Sequence, residues 1–89
     1  MSHCIRYLDF HCSQSEKSIL KEVNSFAYDP RGSSGYHGNL TFHKEPVYKN
    51  REEAEAAIAK LDKGWYSDHA VKYRDGRKIY WLCKIEYHC

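Results

Sequence analysis

Asn50-Arg51-Glu52-Glu53-Ala54-Glu55-Ala56-Ala57-Ile58-Ala59-Lys60-Leu61-Asp62-Lys63-Gly64 reads as a helix with both ends marked. Asn50 caps it, and Glu53 stands at the reciprocal capping-box position. Acids crowd the start and Lys60 and Lys63 the end, each with the sign that the helix dipole favours. Ala54, Ala57, Ile58 and Leu61 form a narrow apolar stripe, which lets the helix approach a sheet closely. Gly64 fits the left-handed position that closes a helix.

Downstream of Gly64 the pattern changes to strands. Ala70-Val71-Lys72-Tyr73, a turn at Asp75-Gly76 and an apolar run over 79–87 form a hairpin. A two-residue Asp75-Gly76 turn would set Val71 beside Tyr80. A three-residue loop over 74–76 sets Val71 opposite Ile79 and gathers Tyr73, Trp81, Cys83 and Ile85 on that face. Residues on one face of a strand must agree about water, which favours the three-residue loop.

Upstream, residues 3–12 are a candidate strand with Ile5 and Tyr7 on one face and Leu8 and Phe10 on the other. Such a strand is either central and covered on both sides or bulged. Ser13 and Glu16 match a capping box, with Ser15 as the alternative cap. Ile19, Leu20, Val23, Phe26 and Ala27 then recur at helical spacing, giving a helix over 15–27 that Asp29-Pro30 ends. Residues 31–39 read as a glycine- and serine-rich loop. Leu40 to His43 and Val47-Tyr48 are extended, and Lys44-Glu45-Pro46 between them reads as a hairpin turn in preference to one bent edge strand carrying a proline.

The order of elements predicts a single α+β domain over 1–89. Its sheet is largely antiparallel with two helices on one face, a ferredoxin-like βαββαβ with an extra C-terminal strand. A variant joins the middle pair into one strand. The 89 residues contain no internal repeat or low-complexity segment. A chain of this size buries roughly 60% of its unfolded surface, so ligands would bind on a sheet face, under a loop or between subunits.

A formal net charge of +2, with both signs interspersed, argues against a dedicated nucleic-acid binder. No secretory apolar run follows Met1, and no segment approaches the roughly 20 apolar residues of a membrane span, so the expected setting is soluble and cytoplasmic. Eight of the aromatic residues are Tyr, which suits half-buried sheet faces and binding surfaces.

Three His-Cys dipeptides, His3-Cys4, His11-Cys12 and His88-Cys89, raise the question of zinc. They lack Cys-x2-Cys knuckles, and neighbours on a strand point to opposite faces, so no metal site is expected unless the ends of the first and last strands lie side by side. Reduced thiols are the expected state of the four cysteines. The 31–39 loop is the leading candidate site: Arg31 suits a phosphate or carboxylate, Ser33, Ser34 and His37 offer donors, and Tyr36 offers a ring. Trp65 and Tyr66, just past a helix, could stack a base, with Asp68 and His69 positioning a polar group. The loop matches neither G-x-G-x-x-G nor a P-loop, and ordinary connection and helix-end packing are the plain readings of the two segments. No local catalytic signature ties the cysteines, histidines or the Glu52, Glu53 and Glu55 cluster to a reaction, so a non-enzymatic protein without a cofactor is expected.

Residues 47–54, Asp62-Lys63-Gly64-Trp65-Tyr66 and residues 81–88 resemble small uncharacterised accessory proteins of bacterial phages and mobile elements. The resemblance covers the C-terminal half and transfers no functional residue. It implies a compact protein that binds host factors. The expectation is therefore a phage-encoded anti-defence factor in the host-cell cytoplasm. It would sequester a nucleotide-like ligand or inhibit a host defence protein, with homo-oligomerisation supplying a pocket. The alternatives are an RNA- or DNA-binding module using an aromatic sheet face, and a zinc-stabilised small domain.

Overall fold

The computed structural model describes residues 3–27, 39–61 and 67–88. The chain runs β1 (His3–His11), α1 (Glu16–Ala27), β2 (Asn39–Tyr48), α2 (Arg51–Leu61), β3 (Ser67–Asp75) and β4 (Lys78–His88). The four strands form one mixed sheet in the order β1-β4-β3-β2. β4 is antiparallel to both of its neighbours, and β2 and β3 are parallel.

The α+β class holds; the expected helix placement is corrected. α1 buries Ile19 and Val23 against Ala70, Trp81, Cys83 and Ile85, with Leu8, Phe10, Leu40 and Phe42 around them. α2 buries Ala54 and Ile58 against Val71, Tyr73 and Leu82, with Tyr7, Tyr48, Leu61 and Tyr80 around them. These two sets alternate along β3 and β4, so the helices cover opposite faces. Connectivity requires it. The β1-to-β2 connection crosses the sheet in one direction and the β2-to-β3 connection crosses back. Two parallel crossovers of the same hand running in opposite directions place their helices on opposite faces.

Residues 40–48 are one edge strand and not a hairpin. Phe42 pairs with Ala70 and Val47 with Lys72, so the register shifts between them, and the Glu45–Pro46 peptide in this irregular stretch is cis. The βαβαββ order that results replaces the ferredoxin-like one.

The β3–β4 register is also corrected. Asp75 pairs with Lys78, leaving Gly76-Arg77 as a two-residue turn, and Val71 lies opposite Leu82, not Ile79. Gly76 has φ 64°, the sign required at the first central position of the turns that match strand twist. Agreement about water does not select this register, because β4 has no wet face through its centre: every residue from Trp81 to Glu86 is buried. β1, in turn, is neither central nor bulged. All nine of its residues pair in unbroken register with β4, and its other edge faces no described strand.

Both helix starts are capped by side chains. The Ser18 amide donates to Ser15 Oγ at 3.1 Å, so Ser15 is the cap, while Ser13 Oγ lies 2.8 Å from His11 Nδ1. At α2 the Glu53 amide donates to Asn50 Oδ1 at 2.8 Å, and Glu53 Oε2 accepts from the Lys49 amide at 3.1 Å. The box closes one residue further out than its usual form.

Candidate functional site

The seven residues singled out for ligand binding, Arg31, Ser33, Ser34, Tyr36, His37, Trp65 and Tyr66, lie outside the described residues. Their anchors do not. Asn39 begins β2 and Ser67 begins β3, and these two residues are parallel register partners. The chain therefore enters the sheet at adjacent positions from both candidate segments.

Strand alternation separates Asp68 from His69, so the two do not position one polar group together. Asp68 is buried and shares a face with Ala70, under α1. His69 points to the α2 face, where its Nδ1 lies 2.9 Å from Nε2 of His43. One of these nitrogens must carry the proton and the other accept it. The pair bridges β2 to β3 beside the register shift.

Two further polar groups share the α2 face. Lys84 and Glu86, two apart on β4 and hence on one side, form an ion pair at 2.6 Å with side chains 3% and 4% exposed. Asp9 is held by three donors. Tyr73 donates its hydroxyl to Oδ1 at 2.6 Å, and Arg51 places Nε 3.0 Å from Oδ1 and a terminal nitrogen 3.1 Å from Oδ2. The other terminal nitrogen of Arg51 reaches Glu55 at 2.8 Å, within the same helix. Arg51 thus ties the first turn of α2 to edge strand β1.

Electrostatics follow this geometry. Burial works to raise the Asp9 carboxyl, but the hydrogen bonds from Arg51 and Tyr73, with the guanidinium charge, outweigh it and hold Asp9 below its ordinary value. The Tyr73 phenol moves up, through burial first and then through its bond to the Asp9 carboxylate. Arg51 is raised mainly by its hydrogen bond to Asp9. Burial pushes the Cys83 thiol up to about 12, with the Asp9 charge adding to it. A thiol so placed is a core side chain and a poor nucleophile.

Aromatic rings follow one another along a single level of the α2 face, because His11, Tyr80, Tyr73 and Tyr48 are successive cross-strand partners. Tyr73 and Tyr80 stack at 5.7 Å between centroids, and His11 meets Tyr80 edge-on at 5.6 Å. Tyr73 is buried and Tyr48 and Tyr80 pack against the α2 cluster, so the centre of this row is core. The aromatic face expected of an RNA-binding sheet is thus largely covered by α2.

Among the described residues no group of three or more His, Cys, Asp and Glu could hold a metal. Cys12 is a half-buried free thiol and Cys83 a buried one, and Cys83 lies opposite Leu8, not opposite another cysteine. The backbone does set His3 beside His88, the side-by-side strand ends that zinc would need. Cys89 and the side chains of His3, Cys4 and His88 lie outside the described residues. No helix among the described residues is long and apolar enough to cross a membrane. No family model matches the chain, and neither does any curated protein or solved structure.

Sequence reasoning missed the Asp9–Arg51–Tyr73 clamp, the Lys84–Glu86 pair and the His43–His69 pair. The second left a signal: two opposite charges at spacing two inside an apolar strand share one face. The first joins residues 42 and 64 positions apart in the chain and had no local signature.

Proposed function

We propose that this chain is a non-enzymatic binding protein, an anti-defence factor of phage origin, which takes a nucleotide-like ligand where β2 and β3 begin. The observation that carries this reading is the pairing of Asn39 with Ser67. It brings Asn39, which ends the glycine- and serine-rich segment, beside Ser67, which follows Trp65-Tyr66, although about 30 residues separate the two in the chain. In the proposed site Arg31 holds a phosphate, Ser33, Ser34 and His37 donate hydrogen bonds, and Trp65, Tyr66 or Tyr36 stacks the base. Calorimetric titration with cyclic and linear nucleotides tests it. Saturable binding that Arg31→Ala and Trp65→Ala each weaken is expected. Absence of heat with every nucleotide removes the ligand and leaves inhibition of a host defence protein, to be read by pull-down from the host.

A second reading has its own observation. Arg74, Arg77 and Lys78 are exposed at the β3–β4 turn, and exposed His11 stands on Tyr80 at that same end of the sheet. Basic side chains next to rings suit single-stranded nucleic acid. Binding that falls steeply with salt and is lost on Arg74→Ala with Arg77→Ala would favour it; binding insensitive to salt would sink it.

A further inference from the structure

The two edges of the sheet are built differently. β2 carries a register shift, Pro46, and exposed Lys44 and Glu45, all devices that keep another strand from pairing there. β1 has neither a register shift nor a proline, and its exposed charges, Arg6 and Asp9, are of opposite sign and lie on opposite faces. Its nine residues His3–His11 are regular, contain no Gly or Pro, and Cys12 prolongs the ladder by donating its amide to Ile79 at 2.9 Å. Ile5 on this strand is 53% exposed, a large apolar side chain left in water. No described element pairs with the outer edge of β1.

We propose that β1 pairs antiparallel with β1 of a second copy, centred on Leu8, to make a continuous eight-stranded sheet. A twofold axis perpendicular to the sheet keeps each face on its own side, so only residues of the same face can oppose one another. Few registers satisfy this. Centring on Arg6 sets two guanidiniums opposite each other, and centring on Asp9 sets two carboxylates opposite each other. Centring on Tyr7 sets Asp9 against Ile5. Centring on Leu8 avoids every such clash. Leu8 then meets Leu8 of the second copy and Arg6 meets Phe10, extending the apolar row under α1 across the axis. On the other face Tyr7 meets Asp9 and Ile5 meets His11. A cation over a ring and a phenol beside a carboxylate are both favourable neighbours. The same register sets Cys4 opposite Cys12, twice. This proposal does not rest on the ligand reading.

Light scattering on the purified chain should give twice the 10.5 kDa monomer mass. Leu8→Lys, which would set two ammonium groups opposite each other, should return the monomer mass with an unchanged far-ultraviolet spectrum. Because Leu8 also touches the core, a second measurement stands beside it. Mild oxidation of the unaltered protein should give a dimer on a non-reducing gel whose linked peptides contain Cys4 and Cys12, and Cys12→Ser should abolish that link. A monomer mass at every concentration overturns the proposal. So does a dimer whose oxidised product links Cys4 to Cys4, or links neither Cys4 nor Cys12.

Discussion

The two faces of this sheet are held down in different ways. Under α1 the contacts are mostly apolar, with Asp68 the buried charged residue on that face: Ile19 and Val23 sit among Trp81, Cys83, Ile85 and Ala70, and Phe42 meets Trp81 edge-to-face at 5.2 Å. Under α2 the apolar contribution is smaller, with Ala54 and Ile58 as its buried helix residues, and charged groups take up the rest. Arg51 reaches to Asp9 on the far edge strand, and Lys84 and Glu86 occupy buried positions between β1 and β3. Dispersion and burial tolerate imperfect geometry. An ion pair out of water does not, because its desolvation is offset only while both partners stay in place. The α1 face should therefore lose stability in proportion to volume removed, and the α2 face according to which partner is left behind.

The sharpest contrast pits Trp81→Ala against Glu86→Ala. Each is expected to cost about 3–5 kcal/mol in chemical denaturation, the first through a cavity and the second through a buried ammonium deprived of its carboxylate. They part on rescue. Adding Lys84→Met to Glu86→Leu should restore most of the stability, since a well-packed apolar pair often replaces a buried ion pair without loss. If the double variant is no more stable than Glu86→Ala, the α2 face is not electrostatic in the sense argued.

Next in size comes helix burial itself. Ile19→Ala on α1 and Ile58→Ala on α2 should each cost about 2–5 kcal/mol, with Ile19 the larger because its neighbours are bulkier and close less readily over the void. Equal losses would erase the distinction between the faces.

The clamp gives smaller effects. Tyr73→Phe removes one donor to Asp9 and should cost about 1 kcal/mol, and Arg51→Gln a similar amount, since this pair is partly exposed. It also sets a pH dependence. The folded Asp9 value lies below the unfolded one of about 3.9, so its contribution is present above that value and is lost as pH falls through the folded value. Denaturation midpoints from pH 5 downward should therefore fall more steeply for the unaltered chain than for Tyr73→Phe with Arg51→Gln. Parallel curves would show that the clamp contributes nothing.

The slightest perturbation is chemical. With its thiol pushed up to about 12, Cys83 should resist alkylation in the folded protein at neutral pH, while half-buried Cys12 reacts. Peptide mapping after brief treatment reads the difference, and equal labelling would place Cys83 in an open site.

The same contrast explains how far the sequence could be read. The elements, the Asn50 cap and the α2 residues Ala54 and Ile58 followed from spacing and capping chemistry, which are local. Sheet order and register did not. Periodicity locates a strand by one wet and one dry face, and β4 is dry on both faces through its centre, so parity carried no information about which residues face α1. Pro46 was read as a turn because proline stops a ladder. On an edge with a register shift it needs to stop nothing. Of the candidate site, what the described residues support is the adjacency of its two anchors.

β4 stands at the centre of the sheet yet comes last among the six elements. Its ladder with β1 joins His3 to His88, nearly the whole length of the chain. As the polypeptide is synthesised, β1 and β3 emerge without the strand that lies between them. Until β4 arrives, the β2–β3 parallel pair with α2 is the largest part of the sheet that can assemble. A nascent chain of this protein therefore carries β1 as an open strand on both sides until β4 emerges, and closure of the fold waits on that last of the six elements.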